Sequence, residues 1–236
     1  MSNLLFNLKY AFSFFSILPV KFKDSDDFKN SKMILFLPLV GMVLGVISIL
    51  PYVMVENPLF AVSSALLYLF LYGFLHLEAV VDVVDALYAK MSGKDAYKVL
   101  KEPSVGAIGV LWGVSYLCLK VAGFSYLLLH ERYFDLISVL VFSRVVLVYL
   151  IVNESFKSSF VDSLKEAVSK KELFVMMVLV VAVFIKFIWL FVALFVVGVV
   201  LLKEVEKRLG FKNGDVLGFV LESSEIVGFL ILGAFV

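Results

Sequence analysis

The sequence predicts an all-α protein: a polytopic integral-membrane bundle of about seven transmembrane helices, preceded by an N-terminal interfacial helix. Three observations predict it. Hydrophobic residues make up 62% of the 236 residues, and the mean hydropathy is +1.04, far above a water-soluble domain. Several apolar runs reach or exceed the roughly 20 residues that a helix needs to cross a bilayer. Lysine and arginine are segregated between alternate loops, as the positive-inside rule describes for multi-pass chains. The length suits one membrane-embedded catalytic domain over 1–236.

Residues 3–18 read as a short, Phe-rich helix closed by Pro19. It is too short to cross easily and is followed by a charged stretch from Lys21 to Lys32, so it is expected to lie in the membrane interface. Met1 to Val20 has neither a basic start nor a small-residue cleavage site, so no signal peptide is expected. Spans follow at about 33–55, 58–87, 105–129 and 133–152, the second overlong. After a polar stretch at 153–172, an apolar run extends from Leu173 to Leu202, broken only by Lys186. Its thirty residues are too many for one ordinary span. Folding it as a tight hairpin near Lys186 leaves only Arg132 and Lys186 on one side of the membrane. The other side collects Lys9, Lys21, Lys23, Lys29, Lys32, Lys90, Lys94, Lys98 and Lys101. It also collects Lys157, Lys165, Lys170, Lys171, Lys203, Lys207, Arg208 and Lys212. That side, with the N-terminus, is expected to be cytoplasmic in a plasma-membrane protein. The last run, 216–236, contains Glu222 and Glu225.

The net charge of +1 says nothing about partners, and no nucleic-acid partner is expected. Cys118 is the single cysteine, which excludes an internal disulfide or a cysteine-based metal site. The chemistry is carried by acids in apolar surroundings. Glu78, Asp82 and Asp85 are spaced by four and three residues, which puts all three on one helical face. Like charges in an apolar helix repel and resist desolvation, and a cation among them offsets both costs. Carboxylate oxygens suit a hard ion such as Mg²⁺, which also bridges to substrate phosphates. A solvated helix end paired with loop lysines is the plainer reading.

His76 precedes this stripe on a different face and suits either packing or substrate contact. In the segment Lys101-Glu102-Pro103-Ser104-Val105-Gly106, Pro103 interrupts the loop and the third span begins. Gly106 and Gly109 allow a close approach, either by a phosphate at the helix N-terminus or by another helix. Arg144, buried in a span, fits a phosphate clamp or a counter-ion to Glu222. Asn213-Gly214 signals a turn, and Asp215 suits an N-cap or a cavity wall. Glu222 and Glu225, one turn apart and deeper, read as lining the same cavity. Lys120 at mid-span reads as structural, pairing with an acid or snorkelling outward. Small-residue pairs, Gly41 with Gly45 and Gly106 with Gly109, allow packing within or between subunits, so a homo-oligomer is possible.

These residues together resemble the cobalamin 5′-phosphate synthase family, the adenosylcobinamide-GDP ribazoletransferases, over nearly the whole chain. The matching segments are Leu18-Pro19-Val20, Phe36-Leu-Pro-Leu-Val-Gly41, His76 to Ala86, Lys101 to Gly109, Ser143-Arg144 and Gly214 to Glu225. The chain departs from the family pattern with Glu78 and Glu102 in place of Asp. Ala79 and Ala86 replace glycines, and Ser104 replaces a basic residue. The resemblance implies a transferase of the last assembly step of cobalamin. A ribose hydroxyl of α-ribazole, or of its 5′-phosphate, attacks the cobinamide-side phosphate of adenosylcobinamide-GDP, and GMP leaves. It implies Mg²⁺ on Glu78, Asp82 and Asp85, and a proton acceptor at Asp85 or Glu102. His76, Lys101, Ser104, Gly106, Arg144, Asn213, Asp215, Glu222 and Glu225 are then expected to contact substrate. A CDP-alcohol phosphotransferase is the nearest rival, but its Asp-Gly-x-x-Ala-Arg motif is absent. A cation transporter would prefer acids at mid-bilayer on a crossing route.

Overall fold

The path of the chain is governed by where apolar runs end in turn-forming residues. The computed structural model describes residues 2–20, 31–102 and 104–234. Lys21, Lys23 and Lys29 of the expected basic side, and Pro103, lie outside the described residues. The helices are α1 (Ser2–Phe15), α2 (Leu37–Met54), α3 (Pro58–Leu71), α4 (Leu75–Met91), α5 (Ala96–Val99), α6 (Ala107–Leu129) and α7 (Tyr133–Asn153). They continue with α8 (Ser159–Ala167), α9 (Lys170–Val183), α10 (Ile188–Leu209) and α11 (Gly214–Gly233). No strand occurs among the described residues.

Among the described residues, five helices are long and apolar enough to cross a bilayer: α2 with its preceding 3₁₀ turn, α6, α7, α10 with its preceding turn, and α11. The expected 58–87 span is not one rod. Gly73 and Phe74 take left-handed φ values of +66° and +55°, and α3 meets α4 at 79°. Glycine tolerates this conformation freely, and Phe74 follows it into the break. The bent pair makes a sixth crossing if it is one span. Among the described residues the helices long enough to cross number five, or six with the bent pair, and a seventh crossing would have to come from α9. The chain does break around Lys186, in a 3₁₀ turn at Ile185–Phe187. However, α9 has only 14 residues, about 21 Å at 1.5 Å per residue, against roughly 30 Å of hydrocarbon.

The bundle is built around α7. From Leu136 to Val152 every residue except Tyr149 is buried, because α2, α9, α10 and α11 all pack on it. The apolar sides of the outer helices face away from the bundle: Val192, Val196 and Val200 of α10 are more than half exposed, in one row four residues apart. That is the pattern of a lipid-facing stripe. The Gly41–Gly45 face is used within the chain. A Cβ on Gly41 would lie 2.6 Å from the Arg144 Cδ and 2.8 Å from the Leu140 carbonyl, so α2 sits hard against α7.

α1 docks at one end. Its Asn7 accepts hydrogen bonds from the Ser31 hydroxyl at 3.1 Å and the Lys32 N–H at 2.9 Å, while Leu4 and Leu5 stay exposed. Three loops converge at another place. The Lys157 N–H donates to the Lys212 carbonyl at 2.6 Å, and the Lys157 ammonium lies 3.6 Å from the Tyr97 ring centroid. Tyr97 in turn packs edge-on against Phe211. The Lys212 ammonium binds Glu154 at 2.7 Å and Glu206 at 3.0 Å. Partial burial works against the Lys212 charge, and the bonds to both glutamates outweigh it, raising its pKa above the ordinary lysine value. These contacts hold the start of α11 in place beside α4.

Candidate active site

The acid stripe of α4 opens on two adjoining recesses. Glu78 and Asp82 line one of about 400 Å³, whose apolar walls come from Val81 of α4 and from Val110, Val114 and Leu117 of α6. The second, about 390 Å³, is lined by Asp85, Lys94, Glu102, Ser104 and Gly106. Val105 borders both. Six of the expected site residues are thereby brought together: Glu78, Asp82, Asp85, Glu102, Ser104 and Gly106. Lys101 is exposed outside the recess, with its ammonium 4.6 Å from the Tyr97 ring centroid.

Asp85 is already engaged. Its Oδ2 accepts the Gly106 N–H at 2.6 Å and its Oδ1 the Gly109 N–H at 2.8 Å. The carboxylate thus satisfies two of the orphan donors at the N-terminus of α6 and complements the positive end of that helix. The roles of Gly106 and Gly109 follow from this. A Cβ on Gly106 would lie 2.5 Å from Asp85 Oδ1, and one on Gly109 would lie 2.6 Å from its Cγ. The glycines admit a side chain of the protein itself, and not primarily a substrate phosphate.

Glu78 and Asp82 have no hydrogen bond or ion pair among the described residues. The charges that bear on Asp82 are all negative: Asp215, then Glu78, then Asp85. Donor type fits a hard divalent cation, and so does the lack of a counter-charge. The expected three-carboxylate site on Glu78, Asp82 and Asp85 is not assembled, since no three His, Cys, Asp or Glu side chains among the described residues are close enough to hold a metal. Asp85 has turned to α6. Mg²⁺ does not need such a cage, because one or two carboxylates and substrate phosphates suffice.

Asp215 and His76 lie on the other flank of α4. Both line a partly open cavity of about 220 Å³ where α1, α4, α7, α8 and α11 meet. Asn213, not Asp215, caps α11: its Oδ1 accepts the Val216 N–H at 3.2 Å. Its Nδ2 donates to Asp215 Oδ2 at 2.6 Å, which orients that carboxylate. The His76 Nδ1 is buried without a hydrogen-bond partner.

Arg144, Glu222 and Glu225 are not on any of these surfaces. They are buried, with relative exposures of 3%, 1% and 0%, in a network the sequence had been expected to put in the substrate cavity. Arg144 donates to Glu225 Oε1 at 2.6 Å and to the Tyr68 hydroxyl at 2.7 Å. Lys120 pairs with Glu222 and Glu225, each at 2.6 Å, and also reaches the Tyr72 hydroxyl at 3.2 Å. Two cations offset two anions. The counter-ion alternative for Arg144 is therefore realised with Glu225 in place of Glu222, and Lys120 is structural. Sequence reading missed Tyr68 and Tyr72, since a tyrosine in an apolar helix carries no signal of what its hydroxyl meets. It also missed Lys94 as a recess residue. Lys94 is the one lysine of the 90–101 group that lines the recess beside the acids, which only the fold of the loop reveals.

The fold and the site define a helical integral-membrane protein with an acidic recess at the α4–α6 junction. The chain belongs to the cobalamin-5-phosphate synthase family, which it matches over residues 7–233. It is similar to the adenosylcobinamide-GDP ribazoletransferase of Clostridium perfringens, 29% identical over 96% of each chain. It is also similar to proteins of the same name from Acinetobacter baumannii, 29% identical over 92% of each chain, and Alkaliphilus oremlandii, 26% identical over 93% of each. No solved structure matches the chain.

Proposed function

We propose that this protein is an adenosylcobinamide-GDP ribazoletransferase that uses Mg²⁺ and releases GMP. The observation that carries the reading is the uncompensated pair Glu78 and Asp82, beside Asp215, on the wall of an open recess in a chain of this family. Glu78 and Asp82 would hold the ion. Bound there, the ion would supply charge neutralisation to the diphosphate. The ribose hydroxyl oxygen of α-ribazole, or of its 5′-phosphate, forms a bond to the cobinamide-side phosphorus. The bond from that phosphorus to the bridging oxygen breaks, and GMP leaves with the electron pair. Glu102, exposed in the recess, is the better proton acceptor than Asp85, whose oxygens already accept two N–H groups. Lys94, in the same recess, would stabilise developing phosphate charge. Arg144 is withdrawn from this role because it is buried against Glu225.

The lysine distribution, with Lys94, Lys98, Lys101, Lys157 and Lys212 on the loops that converge around the recess, supports a cytoplasmic orientation in the plasma membrane. That orientation gives access to nucleotide substrates. The test is GMP release by purified protein in detergent, supplied with adenosylcobinamide-GDP and α-ribazole or its phosphate. Mg²⁺-dependent GMP with a cobamide product is expected, and loss of both on adding chelator. Folded protein that forms no GMP with either acceptor would overturn the assignment.

A further inference from the structure

The two recesses at the acid stripe differ in kind. The one at Asp85 offers a cation and a hydroxyl, from Lys94 and Ser104. The one at Glu78 and Asp82 has no polar side chain besides those two carboxylates among its described lining residues. Its walls are Phe74, Leu77 and Val81 on one side and Val110, Val114 and Leu117 of α6 on the other. Phe74 has the left-handed φ of +55° at the break before α4, and Phe70 packs edge-on against its ring with centroids 5.2 Å apart. The two helices touch beneath the recess: a Cβ on Gly113 would lie 2.6 Å from Val81 Cγ2. The recess is therefore a cleft that narrows between α4 and α6, a shape that suits a flat guest. Its volume, about 400 Å³, is at the low end of the roughly 300–1,000 Å³ of small-ligand sites. A bicyclic base fits that space, and a whole corrin does not.

We infer that the Glu78–Asp82 cleft seats the apolar base of the acceptor nucleoside, between Phe74 of α4's break and Val114 of α6, and that the Lys94 recess beside it takes the diphosphate of the donor. This deepens the proposed function and rests on it for the identity of the acceptor, a dimethylbenzimidazole riboside. Polarity sorts the two substrates. A guanine in the cleft would leave its ring and exocyclic donors and acceptors against aliphatic groups, each unpaired at a cost. Dimethylbenzimidazole presents two methyl groups and a π-face to such walls, and its one bare nitrogen can stay at the open mouth. Connectivity agrees with this. A ribose hydroxyl lies within one sugar of the base, so the base must sit beside the point of transfer, and Glu78 and Asp82 line the same cleft. The donor's phosphates must reach that point from the other side, and Val105 borders both recesses. Phe74 and Val114 are substrate-binding residues in this scheme and touch no reacting atom.

The test measures binding of free 5,6-dimethylbenzimidazole to the full chain in phosphatidylcholine nanodiscs, with empty nanodiscs as the control for partition into lipid. A saturable component above partition is expected, displaced by α-ribazole and not by GMP. Val114 is 50% exposed, so Val114→Trp can be accommodated by the fold while its indole overhangs the cleft. It should weaken base binding roughly tenfold or more, the scale on which an apolar pocket registers a change of size. The KM for α-ribazole should rise by about the same factor while that for adenosylcobinamide-GDP holds. Val192→Trp, on the exposed face of α10, should change neither. Lys94→Gln should raise the KM for adenosylcobinamide-GDP and leave base binding intact. Partition alone in wild type, or displacement of the base by GMP, overturns the subsite without any variant having to fold. Equal effects of the two tryptophans would overturn it as well. Saturable base binding that Val114→Trp weakens, in protein that forms no GMP, would sustain the subsite and sink the proposed reaction. GMP formation with no saturable base binding would do the reverse.

Discussion

Two groups of charged side chains share this bundle and are handled in opposite ways. Around Glu225, every charge has a partner of the other sign within 2.6 Å, and all of it is buried. Along α4, Glu78 and Asp82 face only other carboxylates, on the wall of an open recess. In a low-dielectric interior an unpaired charge costs several kcal/mol, so the first arrangement is what a membrane bundle requires for stability. The second is unfavourable as it stands and gains by taking up a cation. The difference separates the acids that hold the helices together from those that are left to bind.

The largest expected effect tests the second group. Asp82→Asn should lower GMP release by roughly 100-fold or more, the scale of losing one group that stabilises transition-state charge. It should not lower the unfolding temperature measured without metal, because it removes a like charge from beside Asp215 and Glu78. Mg²⁺ at about 100 times its Kd should raise the stability of wild type by roughly 2.7 kcal/mol and leave the variant unchanged. Full turnover by folded D82N would show that Asp82 is not part of the ion site.

The paired group is next, and its readout is stability. Lys120→Met should destabilise the protein by about 3–5 kcal/mol, because it strips Glu222 of its ion pair inside the bundle. Adding Glu222→Gln removes the stranded charge and returns the network to zero net charge, with Arg144 still on Glu225. Thermal unfolding of the two singles and the double should therefore give a coupling energy of about 1–3 kcal/mol. Additive losses would mean that Lys120 and Glu222 act independently and that pairing is not what holds α6 to α11.

Much of this was legible in the sequence, and the limits have physical causes. The 3.6-residue period placed Glu78, Asp82 and Asp85 on one face, and the structure keeps them on one helix around the same recesses. Of the seven crossings that apolar length marked out, five are helices long enough to span and a sixth is the bent pair, and Lys186 correctly marked a break. Periodicity cannot say which partner a buried charge finds, because Lys120, Arg144, Glu222 and Glu225 lie on three helices that meet only in the fold. The sequence therefore left Arg144 open between a phosphate clamp and a counter-ion to Glu222, and the fold pairs it with Glu225. The break at Gly73 was also hidden, since a lone glycine in an apolar run is more often tolerated than used. Asp85 shows a related limit. A carboxylate that caps a different helix looks, in sequence, the same as one that is free.

The smallest effect asks to which group Asp85 belongs. It carries its charge on the α4 stripe, but its two backbone hydrogen bonds make it a fastener between α4 and α6. Gly109→Ala sharpens the point. The added methyl would lie 2.6 Å from Asp85 Cγ and Oδ2 and 2.7 Å from the Val81 carbonyl. A side chain can move aside but the Val81 backbone yields little, so a loss of about 1–3 kcal/mol is expected on unfolding. If Asp85 is chiefly a fastener, Asp85→Ala should cost about 0.5–2 kcal/mol, like the loss of a helix cap. In that background the alanine at 109 should cost less, since the carboxylate it crowds is gone. An unchanged cost for Gly109→Ala in the Asp85→Ala protein would assign the whole clash to Val81. It would also leave Asp85 free to act with Glu78 and Asp82 as part of the unpaired set.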